Sequence, residues 1–212
     1  MLDINHYSKL NLKYNPFSYL NDQELLAVTE ERINLKDLAF KITASSSCFV
    51  EFYGKKGRGK STLLQSLYSN HLPNATFVQL KKKKSEYVQV VPGILIVDSF
   101  QLLSIQNKLQ LLKNQNKLII GSHYSHKIPY FSRRKLYEKV NFNKLELDIN
   151  FVKKIVQQRI ELACLDSDKE SIQVKDEYLE RLLVVHGNNL RAIQTCLYDF
   201  FLNPNKELYE LY

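Results

Sequence analysis

Short apolar runs alternate with amphipathic stretches through the first two thirds of the chain, and this alternation predicts an α/β domain. The run at 48–53 is rich in β-prone residues, with serine before it and glycine after it. Three more runs of strand length follow, and a fifth stretch alternates apolar and polar residues like a partly exposed strand. We predict a parallel five-stranded sheet with helical crossovers, with strands at 48–53, 75–80, 93–97, 118–121 and 140–147.

Helical periodicity surrounds these strands and then takes over the C-terminal third. We predict helices from Thr29 to the serines at 45–47, from Lys60 onward, and at 102–112. Beyond residue 148 the pattern is helical only, with apolar spacing typical of helices at 151–165, 178–185 and 190–201. The predicted organisation is an N-terminal extension (1–24), an α/β domain (25–148) and a small all-helical lid (149–212).

Composition and charge narrow the class of protein. The 212 residues are 44% hydrophobic and carry a net charge of +8, which favours polyanions such as nucleic acid, or an anionic membrane surface. Three separated cysteines without a CxxC pair indicate neither a disulfide framework nor a zinc site. The opening residues do not resemble a signal peptide, and no apolar run has the length of a membrane span. We therefore expect a soluble cytoplasmic protein.

The segment from Gly54 to Ser61 matches the phosphate-binding pattern GxxxxGK[ST] at every fixed position, between a predicted strand and a predicted helix. Glycines in such a loop turn backbone N–H groups toward phosphate oxygens, and the following helix adds its positive dipole end. Lys60 is expected to reach the β and γ phosphates, and Thr62 the α phosphate. For two of the lysines, Lys55 and Lys56, solvated surface charge is the simpler interpretation. The candidate cofactor-binding residues are Gly54, Lys55, Lys56, Gly57, Arg58, Gly59, Lys60, Ser61 and Thr62.

A magnesium ion accompanies the triphosphate in such sites, and two residues are candidates to hold it. The Ser61 hydroxyl is the expected ligand in the loop, and Asp98 ends the apolar run ILIVD with a carboxylate. A helix-capping aspartate at a strand end is the alternative interpretation of Asp98. The predicted cofactors are ATP and Mg²⁺. ATP is favoured over GTP because the chain lacks a guanine-reading Asn-Lys-x-Asp run.

These motifs resemble those of the AAA+ ATPases, through 54–62, the run ending at Asp98, and Leu-Ile-Ile-Gly-Ser-His at 118–123. The resemblance implies that 118–121 is the strand between the two motif strands, with Ser122 sensing the γ phosphate and His123 as the alternative. A strand that simply ends in polar residues is an equal interpretation. Many hydrolysing relatives carry glutamate where this chain has Ser99, so we expect a weak ATP hydrolase.

The same resemblance assigns roles to three arginines. Arg191, in the sequence GNNLRAI, is similar to the arginine of the family's lid that reaches back to the nucleotide, although an exposed helix arginine is the alternative. Arg133 or Arg134 would be the arginine finger that completes a neighbouring subunit's site; a pair of surface residues that binds phosphate is equally consistent. The implied assembly is a homo-oligomer or a complex with AAA+ partner subunits.

The N-terminal Asn15-Pro16-Phe17 resembles a box found in AAA+ ATPases of transposition and secretion, whereas the lid resembles that of replication initiators and helicase loaders. Three functions follow as hypotheses. The first is an ATP-dependent assembly switch on nucleic acid, in which the lysines at 81–84 are either among the phosphate contacts or plain solvated charge. The second is an ATPase that acts on a protein complex in secretion, defence or remodelling without nucleic acid. The third is a small-molecule kinase, against which the lid motif argues.

Overall fold

The computed structural model describes residues 7–81, 87–126, 134–169, 172–203 and 209–211, and its chain divides into two compact units. Residues 31–145 form one unit, here called the sheet unit. Residues 1–30 and 146–212 form the other, here called the helical unit. The N-terminal segment, which the sequence analysis treated as an extension, thus groups with the C-terminal helices.

The sheet unit contains five parallel strands and three main helices. The strand order is β2-β3-β4-β1-β5, so that β4 lies between β1 and β3. The elements are α2 (Leu35–Ala44), β1 (Cys48–Tyr53), α3 (Lys60–Ser66, continued by a π-helix at Leu67–His71), β2 (Thr76–Gln79), β3 (Ile94–Asp98), a 3₁₀ turn (Phe100–Leu102), α4 (Ile105–Asn114), β4 (Lys117–Ser122) and β5 (Leu136–Asn141).

Alternate residues of the central strands enter two apolar clusters, one on each face of the sheet. Val50, Ile96 and Ile119 pack with α2 and α3, whereas Phe49 and Ile120 pack with α4. Burial on both faces explains why these strands are near-continuous apolar runs. The predicted α/β class with a parallel five-stranded sheet is confirmed.

The largest displacements of predicted boundaries in the sheet unit concern its first helix and its fifth strand. The first helix begins at Leu35 instead of Thr29, because the Asn34 side chain caps it by accepting a hydrogen bond from Asp37 N. The fifth strand runs over Leu136–Asn141 instead of 140–147. It pairs with β1 from Cys48 onward, and its polar residues concealed it in the sequence pattern.

The helical unit has a core built by helices from the C-terminal part of the chain together with the N-terminal segment. Leu12 and Phe17 are buried among these helices, and Leu12 forms a bridge with Cys164. Besides the helices, a short antiparallel pair occurs that the prediction of an all-helical lid did not include. The elements are α1 (Asp22–Ala27), α5 (Ile149–Ala163), β6 (Ile172–Val174), α6 (Asp176–His186), α7 (Leu190–Leu202) and β7 (Tyr209–Leu211), with β6 paired to β7.

The Asn-Pro-Phe sequence attaches the N-terminal segment to this core. Asn15 is buried; its Oδ1 accepts a hydrogen bond from Phe17 N (2.9 Å), and its Nδ2 donates to Tyr198 O (2.9 Å). Arg159, also buried, donates to Pro16 O (3.0 Å) and lies 5.2 Å from the centre of the Phe17 ring. In this structure the box is a fold element of the helical unit.

Candidate nucleotide site

The phosphate-binding loop joins β1 to α3 in the order that the motif requires. Gly59, the residue before the helix, has a φ of 84°, in the left-handed region that favours glycine, and no side chain caps the helix that follows. The first N–H groups of α3 therefore lack a side-chain acceptor, which is the arrangement that binds anions at helix N-termini. The Lys60 side chain is folded back over the loop, with Nζ donating to Gly54 O (2.6 Å) and Lys55 O (2.8 Å).

The other loop residues differ in exposure. Lys55, Lys56 and Ser61 are exposed, and Thr62 is half-buried. Arg58 is half-buried too, and its Nε and Nη1 atoms are buried without a hydrogen-bond partner among the described residues. Buried guanidinium N–H groups without an acceptor are costly, so an anion is the natural complement of this side chain.

Asp98 lies at the C-terminal end of β3 and is only 3% exposed. Its Oδ1 accepts a hydrogen bond from Ser99 N (2.8 Å), and its Oδ2 from Gln79 Nε2 (3.4 Å). Gly121 in the neighbouring β4 makes room for the carboxylate, since a Cβ at this position would come within 2.7 Å of Asp98 Oδ1. Ser99 itself adopts a left-handed φ of 62°, which is unusual for a residue with a side chain.

The end of β4 lies beside the phosphate-binding loop. Gly54 N donates to Ser122 O (3.2 Å), and the Ser122 side chain, 1% exposed, donates its hydroxyl to Tyr124 O. His123 is exposed at the next position. Partial desolvation of its ring lowers the pKa of His123 and the positive charge of Lys60 lowers it further, whereas Asp98 opposes them. His123 therefore feels the charges of both the loop and the carboxylate, while the Ser122 hydroxyl is occupied within its own turn.

The carboxyl ends of three adjacent strands thus bring the phosphate-binding loop, Asp98 and the end of β4 to one edge of the sheet. Ser61 and Asp98 offer a hydroxyl and a carboxylate, the oxygen donors that Mg²⁺ accepts in combination with nucleotide phosphates. No group of three or more His, Cys, Asp or Glu side chains that could hold a metal by itself occurs among the described residues. This donor set fits magnesium bound jointly with a nucleotide better than a dedicated metal cage.

The structure describes two of the three predicted arginines. Arg134 precedes β5, and its guanidinium donates to Leu112 O and Asn116 O, both at 2.9 Å, near the C-terminal end of α4. Arg191 is exposed at the second position of α7 in the helical unit. Arg133 lies outside the described residues, as do the lysines at 82–84. The roles of these residues stay predictions.

Two contacts of the loop were not predicted from the sequence. Asn143, after β5, accepts a hydrogen bond from Lys55 N through Oδ1 (2.9 Å). Arg32 donates to Arg58 O (3.2 Å) and to Leu145 O, and its guanidinium lies 5.9 Å from the centre of the Phe142 ring. Burial lowers the pKa of Arg32, and the nearby Arg58 charge adds to this effect. Neither residue belongs to a motif, so no signal in the sequence marks it.

Comparison with known proteins gives a fold and no close relative. No family model and no curated protein matches the sequence. A point mutant of Thermotoga maritima RuvB is similar at a TM-score of 0.51 with 15% identity, over 86% of this chain and 63% of that one. Domain III of the Thermotoga maritima replication initiation protein DnaA has a TM-score of 0.50 with 16% identity, over 85% of this chain and 88% of that one.

A third similar structure, a DNA replication initiation factor, has a TM-score of 0.50 with 14% identity, over 87% of this chain and 66% of that one. Across the RuvB structures, this chain spans 57–63% of their length. At these identities the likeness confirms the fold, and the activities of those proteins do not transfer with it.

Proposed function

We propose that this chain, which has the fold of the AAA+ ATPases such as RuvB and DnaA, binds ATP with Mg²⁺ and uses it as an assembly switch. The observation that carries the proposal is the position of β4 between the strand that enters the phosphate-binding loop and the strand that ends at Asp98. This order places Lys60, Asp98 and His123 at one edge of the sheet. The resemblance of the motifs implied such a position for Ser122, with His123 as the alternative.

Each loop residue then has a defined task. The Lys60 ammonium and the uncapped N–H groups of α3 bind phosphate oxygens, and Arg58 supplies further guanidinium donors. Ser61 and Asp98 would hold Mg²⁺, which when bound offsets negative charge on the phosphates. Hydrolysis is expected to be slow, because the Ser99 hydroxyl is a far weaker base than the glutamate carboxylate of hydrolysing relatives.

Nucleotide binding is tested with Lys60→Ala and Asp98→Ala. Because charge-assisted hydrogen bonds contribute about 1.5–3 kcal/mol each, Lys60→Ala is expected to weaken ATP binding by roughly 10- to 150-fold. For Asp98→Ala, the main expected effect is on magnesium dependence: the gain in ATP affinity with Mg²⁺ over that with EDTA should shrink. The ATP affinity itself should fall less. Lys36→Ala, a change of an exposed lysine on α2, is the control and should bind like the parent. Undiminished ATP binding by Lys60→Ala would refute the proposed site.

The switch would act on nucleic acid. Two of the similar structures are described as domain III of a replication initiation protein and as a DNA replication initiation factor. The net charge of +8 favours the same class of partner. Subunits would join through Arg133 or Arg134 at a neighbour's nucleotide, with Arg191 of the helical unit as a further nucleotide contact.

Binding to mixed-sequence duplex DNA across a salt series tests this partner. Phosphate contacts predict that log K falls linearly with log salt, with a slope of about −0.9 per contact. Light scattering of the same samples with and without ATP and Mg²⁺ would show whether assembly follows the nucleotide. Absence of binding at low salt with ATP present would contradict the nucleic-acid role.

The alternative is an AAA+ ATPase that acts on a protein complex without nucleic acid. The same DNA titration distinguishes the two, because a protein-directed ATPase would assemble with ATP and leave the DNA free.

In the described part of the chain, no helix has the length and apolar character needed to cross a bilayer. The predicted cytoplasmic location stays a prediction.

A further inference from the structure

A charged residue occupies the interior of β1. Glu51 lies three residues before Gly54, in the strand that enters the phosphate-binding loop, and its side chain is fully buried. Its neighbours in the strand are apolar, so no local reason for a carboxylate exists in the sequence. A buried charge is costly unless other groups pair with it, and its partners therefore indicate what it does.

The partners come from the segment after β4 and from β5. Glu51 Oε1 accepts hydrogen bonds from the backbone N and from Nδ1 of His126, both at 2.8 Å. Oε2 accepts from Ser125 Oγ (3.2 Å) and pairs with Lys139 Nζ (3.2 Å). Lys139 also donates to Ser125 Oγ (2.7 Å) and to His126 O (2.8 Å). These four residues are here called the Glu51 cluster.

The described part of the loop after β4, residues 123–126, is anchored by β4 at its start and by the Glu51 cluster at Ser125 and His126. Only His123 and Tyr124 lie between the two anchors, and the Tyr124 carbonyl already accepts the Ser122 hydroxyl. The His126 ring packs edge-on against Phe100, 5.3 Å between ring centres, two residues beyond Asp98. The loop is thus tied to the strands that carry both nucleotide motifs.

The carboxylate form of Glu51 is the one this cluster stabilises. Burial alone would raise the pKa of Glu51, but the hydrogen bonds from His126 and the charge of Lys139 outweigh it and hold the pKa below its ordinary value. A neutral amide at this position would lose the attraction to Lys139. It would also turn an NH₂ group toward donors, so the anchor would loosen without a change in side-chain size.

We propose that the Glu51 cluster is a positioning device for His123, which it keeps beside the phosphate-binding loop so that its imidazole responds to the terminal phosphate. The inference rests on the proposed nucleotide site and adds a residue role that no motif marks. Glu51 would act only through the loop, so its loss should affect the response at His123 and turnover while phosphate binding at Lys60 persists.

The test is histidine NMR of the parent and of Glu51→Gln, with His123 assigned from a His123→Gln variant. In the parent, a non-hydrolysable ATP analogue with Mg²⁺ should shift the His123 imidazole resonances. In Glu51→Gln, the analogue should bind with unchanged affinity. The change in the His123 chemical shift should be smaller, and the His123 resonances should be broader. Where the parent hydrolyses ATP, kcat of the variant should fall by about tenfold or more, because small displacements of reacting groups are costly.

Two further variants keep the test informative if Glu51→Gln folds poorly. Lys139→Met and Ser125→Ala each remove the polar contacts of one member of the Glu51 cluster and should reduce the His123 shift in the same direction. Glu138→Gln changes the neighbouring carboxylate in β5, which pairs with Lys41 at 3.7 Å outside the cluster, and is the matched control.

The outcomes separate the two proposals. A parent chain that binds no analogue overturns the proposed function itself. A parent that binds but shows no His123 shift overturns the inference, as does a Glu51→Gln variant whose shift and kcat equal those of the parent. A variant that loses analogue affinity and His123 shift in equal measure would reveal a general structural role for Glu51 and would also overturn the inference.

Discussion

Gly121 in β4 leaves space beside the Asp98 carboxylate, and Gly121→Ala would close that space. The added Cβ would lie 2.6 Å from Leu64 Cδ1 and 2.7 Å from Asp98 Oδ1. Leu64 is fully buried, and Asp98 is held by its hydrogen bond from Ser99 N. Neither side chain can move away without losing packing or a hydrogen bond.

The magnitude follows from this overlap. Overpacking of a close-packed interior costs about 1–3 kcal/mol. For a chain of this size, 1 kcal/mol corresponds to roughly 2–4 °C in Tm. A cost of about 2 kcal/mol therefore predicts a Tm lower by roughly 4–8 °C. The Asp98 carboxylate is one of the groups displaced. The increase in Tm that ATP with Mg²⁺ gives over ATP with EDTA should therefore also shrink.

Thermal unfolding of the parent and of Gly121→Ala, each with and without nucleotide and Mg²⁺, measures both effects. Ile119→Val, a change at a fully buried position in the same strand, is the control. It should lower stability by about 0.5–1.5 kcal/mol and leave the magnesium effect intact. If Gly121→Ala melts like the parent and retains the full magnesium increment, the close approach has no energetic consequence and the reasoning is refuted.

Three further predictions concern other parts of the chain. Asn15→Ala removes two buried hydrogen bonds and should destabilise the chain by about 1–3 kcal/mol in urea titration; an unchanged midpoint would contradict its anchoring role. The folded-state pKa of Glu51 is lowered, so its contribution to stability is present above pH 4.5 and is lost as pH falls through the folded pKa. Relative to the parent, Glu51→Gln should therefore show a flatter acid limb in unfolding experiments, and parallel curves would disprove this. Arg134→Ala mixed with Lys60→Ala should recover ATPase activity if Arg134 acts on a neighbouring subunit, whereas an inactive mixture argues against action in trans.

Local patterns carried most of the sequence-based prediction of the nucleotide site. The phosphate-binding loop is continuous in sequence, and its glycines, lysine and flanking elements are all set by neighbouring residues. Asp98 was recognisable because a buried parallel strand is a run of apolar residues, so that a carboxylate at its end is conspicuous. The fifth strand was displaced because Lys139 and its polar neighbours hide the alternation that identifies an edge strand.

Other features arise only from contacts between distant parts of the chain. The sequence marks Glu51 as unusual, because it is a charged residue within an apolar strand. Its partners cannot be identified in the same way, since they lie 74 to 88 residues further along the chain. Arg32 and Asn143 reach the phosphate-binding loop from outside any motif. Their side chains have ordinary sequence surroundings, so only the fold identifies them.

The sequence by itself determined the α/β class, the existence of the five parallel strands and the match of the loop at 54–61 to the phosphate-binding pattern, because these depend on periodicity and short-range spacing. The tertiary structure decided two other matters: the grouping of the N-terminal segment with the C-terminal helices, and the Glu51 cluster. Each depends on which surfaces meet after folding, and long-range packing of this kind has no periodic trace in a single chain.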